Sequence, residues 1–223
     1  RMEINSPFIN AQDGRLSPTY VEGLNWNLRV NPRISFAQHL ITGISPRSTG
    51  NWFDLGESIG MYPVGRDENG QGSDYSGNTR SDFINILDLK FRLNSASSLI
   101  LNHTLVNNIY SAYLAQWDKN WELPNSSFQW ITGLQTTIQH GIGNGGNEDI
   151  ALRYKNPEDF HWILSGRIGI KSEKSLWHIN YTKMQGEGRY LSPREWGKDP
   201  FYTFIPRERN EGLGQVDALS TYI

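Results

Sequence analysis

The sequence contains no cysteine among its 223 residues. A disulfide scaffold, a thiolate metal site and a thiol nucleophile are therefore excluded. Long apolar runs are also missing: the longest runs from Ala112 to Ala115, whereas a membrane-spanning helix needs about 18 residues. An excess of one charge is missing as well, because 21 basic and 23 acidic residues leave a formal net charge of -2. This balance argues against a nucleic-acid partner.

Aromatic side chains are abundant instead. The chain holds 8 Trp, 10 Tyr and 9 Phe together with 22 Gly, while only 37% of all residues are apolar. Trp and Tyr are favoured where one end of the ring contacts an apolar region and the other end contacts water. The composition therefore indicates many rings at an apolar–polar boundary rather than a large aliphatic core.

Apolar and polar residues alternate with a period of two along much of the chain. The pattern is faultless from Leu24 to Val30 and ends at Asn31-Pro32. It is also clear in 83–93, where Leu and Phe residues alternate with Asp88, Lys90 and Arg92. Similar segments begin near positions 34, 99, 110, 128, 160, 177 and 214. This period is typical of strands with one face in each medium and predicts nine strands and no helix.

The connections between these strands differ in length in an ordered way. Long stretches rich in Gly, Asn, Asp and Pro occupy 45–80, 141–157 and 185–213, and short turns follow residues 30, 93, 117 and 171. In a meander the short turns would share one rim, and the long loops would share the other with a tight hairpin at Asn107-Asn108. Outer-membrane barrels sort their loops in this way. We therefore expect an all-β, transmembrane antiparallel β-barrel.

Nine strands is an odd number for a bacterial single-chain barrel. We therefore interpret residues 1–223 as a single, partial barrel domain that forms an internal piece of a longer barrel. Closure is required because unpaired backbone groups cost several kcal/mol each in hydrocarbon.

Two stretches resemble a known family. The segment 1–18, which begins Arg1-Met2-Glu3, looks like the segment that precedes a barrel strand in OprD-type outer-membrane porins. The segment 195–212, which begins Glu195-Trp196-Gly197, is similar to a long external loop of the same family. The resemblance spans essentially the whole chain, and its specificity is concentrated in these two motifs.

The resemblance implies an 18-stranded barrel in the outer membrane of Gram-negative bacteria, of which this chain would supply about half. Such barrels often pack as homotrimers among outer-membrane lipid and lipopolysaccharide. They pass small charged or polar nutrients passively, without catalysis and without an obligatory cofactor. The pore-narrowing loop of the family is matched only loosely by 48–56, so the constriction stays unplaced.

If the apolar residues of each strand face lipid, the residues that alternate with them face a water-filled lumen. These lumen-facing residues include six cations, which are Arg29, Arg33, Lys90, Arg92, Arg167 and Lys171. Such a row concentrates carboxylates and other anions in a narrow channel. The family is similar in placing a basic ladder opposite acidic loop residues, and the candidates here are Asp54, Glu57, Asp67 and Glu68. Barrel interiors are polar in any case, so these charges could equally lack individual roles.

Two other functions stay open from the sequence. A soluble carbohydrate-binding β-sandwich would use the Trp and Tyr rings to stack on sugars. A barrel enzyme would need a nucleophile and a base at the loop rim, and no persuasive pair is present. The five histidines lack the spacing of metal ligands. We therefore predict no catalytic residue, no metal and no cofactor.

Overall fold

The computed structural model describes residues 1–12, 17–61, 74–205 and 209–223. The elements in chain order are β1 Tyr20–Asn31, β2 Ile34–Ser45, β3 Phe53–Asp54, α1 Leu55–Ser58, β4 Ile84–Asn94, β5 Ser97–Val106, β6 Tyr110–Glu122, β7 Gln129–Gly141, a 3-10 helix at Ile150–Leu152, β8 Phe160–Lys171, β9 Leu176–Gly186 and β10 Val216–Tyr222. No helix in these ranges has the length and apolarity needed to cross a membrane.

The strands form a single antiparallel sheet. Its order is β1-β2-β4-β5-β6-β7-β8-β9-β10, and the two-residue β3 pairs with β2 beside this path. The nine predicted strands are thus all present. The sequence analysis missed β3 and the two short helices, because elements of two to four residues carry no readable period. A soluble sandwich would need a second sheet, and the described ranges contain only this one.

The connections differ in length between the two ends of the sheet, and β6 extends to Glu122, beyond the turn that the sequence predicts after residue 117. The turns 32–33, 95–96, 123–128 and 172–175 lie at one end, which we call the turn end. The connections 46–83, 142–159 and 187–215 lie at the opposite loop end, together with the tight hairpin at 107–109.

One face of the sheet, the outer face, is apolar and uncovered. Leu24, Trp26 and Leu28 of β1 are 72%, 62% and 46% exposed, as expected for a lipid-facing row. Exposed aromatic rings cluster toward both ends of the strands, at Trp121, Trp130 and Trp177 near the turn end and at Tyr113, Phe160 and Trp162 near the loop end. Aliphatic residues such as Leu134 and Ile168 lie between them. An apolar band between two aromatic girdles is the pattern of a transmembrane barrel.

The inner face is covered by loops and is apolar near the loop end. Ile84, Ile86 and Tyr110 are completely buried there, in a core with Phe8 and Trp196. The alternation predicts a polar inner parity along whole strands, and this part of the prediction is wrong. Segments 1–12 and 187–205 pack on the sheet, so apolar side chains are buried on the inner face as well.

A β-bulge changes the face of one predicted outer residue. Glu22 pairs with Gly43 and Gly23 pairs with Ile41, which leaves Thr42 without a partner in the ladder. The extra residue reverses the alternation, and Ile44 is therefore buried in the inner core. Gly23 permits the close approach at this point, since a Cβ atom there would lie 2.0 Å from the Leu40 carbonyl oxygen.

Candidate functional site

The inner face near the turn end carries a basic cavity of about 720 Å³. Four of the six predicted cations line it, namely Arg29, Arg33, Lys90 and Arg92. The register explains their proximity, because Arg29 pairs with Ser35 and Ser35 pairs with Lys90. The backbone NH of Arg92 donates to the Arg33 carbonyl oxygen at 2.7 Å. Cationic side chains from β1, from the turn at 32–33 and from β4 thus line one cavity.

A second cavity, of about 650 Å³, lies next to the first toward the loop end. Its wall side is formed by Lys90, Ile100 and Gln116, and its other side by parts of the segments 3–12 and 198–200. Lys90 lines both cavities. Ile100 is the other residue shared by the two linings, so the two cavities adjoin at Lys90 and Ile100.

The N-terminal segment is pinned to the wall by buried polar contacts. The Asn102 side-chain amide donates to Ser6 Oγ at 3.1 Å and to Asp88 Oδ1 at 2.9 Å. Asp88 is 2% exposed, and its other oxygen lies 3.9 Å from His39 Nε2. Because these contacts form in a buried region, where hydrogen bonds are strong, Ser6 holds the segment in a fixed place.

The two family-like motifs contact each other on the inner face. The Asn10 backbone NH donates to the Trp196 carbonyl oxygen at 3.1 Å, and the Lys198 NH donates to Asn10 Oδ1 at 3.0 Å. Trp196 is fully buried, and its indole NH donates to Ser58 Oγ at 2.8 Å. The segments 1–12 and 195–203 therefore narrow the space beside the wall.

The remaining two predicted cations have different surroundings. Arg167 Nη2 lies 2.7 Å from Asp118 Oδ1, so its charge is compensated locally. Its guanidinium also stacks on the Tyr202 ring at 4.5 Å. Lys171 is the last residue of β8, opposite Gln129, and it is not among the described residues that line either cavity.

The two acidic candidates within the described residues do not line either cavity. Asp54 and Glu57 are exposed on β3 and α1, where the loop buries Leu55 instead and turns the carboxylates outward. Asp67 and Glu68 lie outside the described residues. The acids that line the cavities are Glu3, Asp88 and Asp199. The alternation places Asp88 on the same face of β4 as Lys90, and this pattern could have identified Asp88 from the sequence.

Asp199 is a buried acid at the edge of the second cavity. It is 5% exposed, and burial raises its pKa to about 6 against the opposing effect of Arg209. Since the pKa stays below 7, the carboxylate is mostly ionised at neutral pH. The second cavity therefore has Lys90 on its wall side and Glu3, Lys198 and Asp199 on its other side.

A buried charge network joins two of the long loops above this site. Lys155 has no exposed side-chain surface, and its ammonium group donates to the Arg189 carbonyl oxygen. It lies 3.5 Å from His161 Nδ1 and 3.9 Å from Asp159 Oδ2. Burial lowers the pKa of Lys155 to about 7, although Asp159 opposes that shift.

The same network continues into the loop that follows β9. The Arg189 guanidinium donates to the Tyr154 carbonyl oxygen at 2.9 Å and lies over the rings of Tyr75 and Tyr154. The Tyr154 hydroxyl donates to Glu211 Oε1 at 2.5 Å. Burial raises the pKa values of Tyr154 and Glu211. These contacts fix the loops to one another and do not involve the residues that line the two cavities.

The architecture has clear counterparts among solved structures. Pseudomonas aeruginosa OccK8 (OprE) superposes with a TM-score of 0.77 at 15% identity, covering 96% of this chain and 54% of that chain. The fold is that of an OprD/Occ porin. Pseudomonas aeruginosa OpdO shares it with a TM-score of 0.70 at 14% identity, over 93% of this chain and 48% of that one. OpdK of the same species, solved with vanillate, gives 0.65 at 17% identity, over 85% and 44%.

These comparisons confirm the predicted OprD-type resemblance at the level of the fold. The chain spans about half the length of the OprD/Occ structures that it matches. No family model and no curated protein sequence matches the chain.

Proposed function

We propose that this chain forms about half of the wall of a passive outer-membrane channel for small polar or anionic solutes. The observation that carries the proposal is the pair of adjoining cavities on the inner face, which share Lys90 in their linings, while the outer face is apolar and uncovered. The OprD/Occ fold of the chain supports an outer-membrane location.

The charges along the path favour anions. Arg29, Arg33, Lys90 and Arg92 surround the first cavity, and the acid that faces them there, Asp88, is engaged by Asn102. A low-dielectric wall focuses such a field and raises the local anion concentration. OpdK was solved with vanillate, and a carboxylate of that kind is a reasonable first solute to test here.

Reconstitution of the full-length protein in planar lipid bilayers tests the proposal. We expect discrete conductance steps and a reversal potential that indicates a preference for anions under a KCl gradient. Sugar-protected tryptophan fluorescence of a detergent-free, monomeric protein would favour the carbohydrate-binding alternative instead. Correctly folded protein that inserts into bilayers without conducting ions would contradict the channel.

A further inference from the structure

A short segment of the last long loop, 199–205, lies flat on the inner face of β7, β8 and β9. Three wall residues receive it. Gln135 Nε2 donates to the Pro200 carbonyl oxygen at 3.0 Å, and the Tyr202 backbone NH donates to Ser165 Oγ at 3.3 Å. The hydroxyls of Thr203 and Thr182 are 2.7 Å apart.

The three receiving residues form one straight row across the sheet. Gln135 pairs with Ser165, and Ser165 pairs with Thr182. All three are at most 1% exposed. Because buried polar groups are costly without partners, this row favours the docked position of the segment.

The Tyr202 side chain reaches one row further toward the turn end. Its hydroxyl donates to Asp118 Oδ1 at 2.8 Å, the same oxygen that accepts from Arg167 at 2.7 Å. The ring stacks on the Arg167 guanidinium. Asp118, Gly133 and Arg167 are neighbours in the register of β6, β7 and β8.

Gly133 provides the space for this ring. A Cβ atom at position 133 would lie 2.4 Å from the Tyr202 hydroxyl oxygen and 2.6 Å from Cζ. Gly133 is not among the glycines with positive φ, so its backbone does not require glycine. The absence of a side chain therefore serves the contact with Tyr202.

The docked segment forms one side of the second cavity. Asp199 and Pro200 line that cavity opposite Lys90 and Gln116. Gln116 is tied to the anchor of the segment, because its amide donates to Asp118 Oδ2 at 2.6 Å. A displaced Tyr202 would therefore move the loop side of the passage away from the wall.

We propose that Tyr202, seated over Gly133, is the positioning residue that holds 199–205 against the wall and so sets the size limit of the passage. The inference rests on the proposed channel function. It assigns the constriction on this side of the channel to 199–205 rather than to 48–56. It also assigns Arg167 to the anchoring of that segment rather than to a free basic ladder.

Three variants of the full-length protein test the inference in planar bilayers and in liposome swelling with neutral sugars of increasing size. Gly133→Ala displaces the ring, and we expect about a twofold rise in conductance and entry of larger sugars, since pore diameter governs passage. Tyr202→Ala should act in the same way, and Tyr202→Phe should have a smaller effect because the ring remains. The reversal potential should stay unchanged, because none of these substitutions removes a charge.

Gly166→Ala is the matched control. Gly166 is on β8 next to Arg167, and a Cβ atom there would meet no atom nearer than the Gly133 carbonyl oxygen at 3.9 Å. We expect wild-type conductance and size limit for this variant. The double variant Gly133→Ala/Tyr202→Ala should equal Tyr202→Ala alone, because the two residues act through one contact.

Chymotrypsin cleavage after Tyr202 in the membrane-inserted protein gives a readout that does not depend on conduction. Cleavage should be slow in the wild type and at least about tenfold faster in Gly133→Ala, in line with opening of a docked segment. Tyr202→Ala and Tyr202→Phe add no atoms, so their size limits test the proposed role of Tyr202 even where Gly133→Ala fails to fold. Tyr202→Ala removes the cleavage site, so it is judged by its size limit alone. A wild-type protein that conducts would overturn the proposed role of Tyr202 alone if all three variants keep its size limit and Gly133→Ala and Tyr202→Phe keep its cleavage rate. A wild type without conductance would overturn the channel instead.

Discussion

Removal of two of the cationic side chains that line the basic cavity should weaken anion selectivity in a salt-dependent way. Lys90 and Arg92 both line this cavity, whose volume of about 720 Å³ corresponds to a sphere of about 5.6 Å radius. At that distance in water, one unit charge contributes about 0.7 kcal/mol to the energy of an ion at the centre. Screening reduces the contribution to roughly 0.4 kcal/mol at 0.15 M salt.

Two such charges together change the local anion concentration by a predictable factor. The factor is about 3.5 at 0.15 M salt, about 8 at 0.01 M and about 1.5 at 1 M. The variant Lys90→Gln/Arg92→Gln should therefore show a reversal potential that moves toward the cation value, strongly at low salt and weakly at high salt. The measurement is the zero-current potential under KCl gradients at the three mean concentrations.

Two controls separate the local field from other effects of charge. Lys183→Gln removes a cation that lies beside Tyr181 on the outer face, where Lys183 Nζ is 3.4 Å from Asp217 Oδ1, and it should leave selectivity unchanged. Asp118→Asn/Arg167→Gln removes a paired acid and base, so the net charge of the inner face is conserved and little shift is expected. An equal shift in the Lys183 variant, or a shift that does not shrink with added salt, would refute the field calculation.

Three further outcomes follow from other parts of the fold. Leu134→Arg places a charge in the middle of the outer face, and we expect it to lower the free energy of unfolding in bilayers by about 2–4 kcal/mol, as measured by urea titration. For Lys155, the lowered pKa in the folded state means that the unfolded chain binds more protons between pH 7 and pH 9. Wild-type stability should therefore rise with pH in this window, by at most about 1.4 kcal/mol per unit, and Lys155→Met should lose the rise. Thr182→Cys/Thr203→Cys should form a disulfide that locks 199–205, so that chymotrypsin cleavage after Tyr202 slows under oxidising conditions and recovers with reductant.

Each outcome has a contrary result. The outer-face assignment fails if Leu134→Arg is as stable as the conservative variant Leu134→Ile. The buried-ammonium argument is wrong if Lys155→Met keeps the wild-type rise of stability with pH. In the disulfide variant, equal cleavage rates before and after reduction would mean that Thr203 does not hold the segment.

The strands could be predicted from the sequence because a two-sided environment imposes a period of two on every residue. Leu24, Trp26 and Leu28 lie on the outer face for that reason. The same rule fails for Ile44, since one unpaired residue at Thr42 reverses the faces. A bulge of this kind is fixed by hydrogen bonding with the neighbouring strand, and alternation within one strand does not reveal it.

The site could be predicted only in part, because it depends on contacts between distant segments. Lys90 and Arg92 share an inner parity, which the alternation reveals. Whether a cation has an unpaired charge depends on residues far away in the sequence. Arg167 is paired with Asp118, 49 positions away, and is covered by Tyr202 from a loop. The constriction was unplaced because loops have no period, although the segment proposed to form it, 199–205, belongs to one of the two motifs that carry the family resemblance.

The direction of the strands limits how the sheet can close. All eight neighbouring pairs along the nine-strand path are antiparallel, so the edge strands β1 and β10 run in the same direction. A second copy related by an axis along the barrel would place β10 beside a parallel β1. A copy related by a perpendicular axis would keep antiparallel seams but put long loops on both sides of the membrane.

An odd number of further strands avoids both problems, since it makes the total even and keeps every seam antiparallel. The nine strands that an 18-stranded barrel still requires are such a number. We therefore expect closure by strands of different sequence rather than by self-association within one barrel. A detergent-extracted barrel that denatures to two copies of the 25.5 kDa chain and no other polypeptide would contradict this expectation.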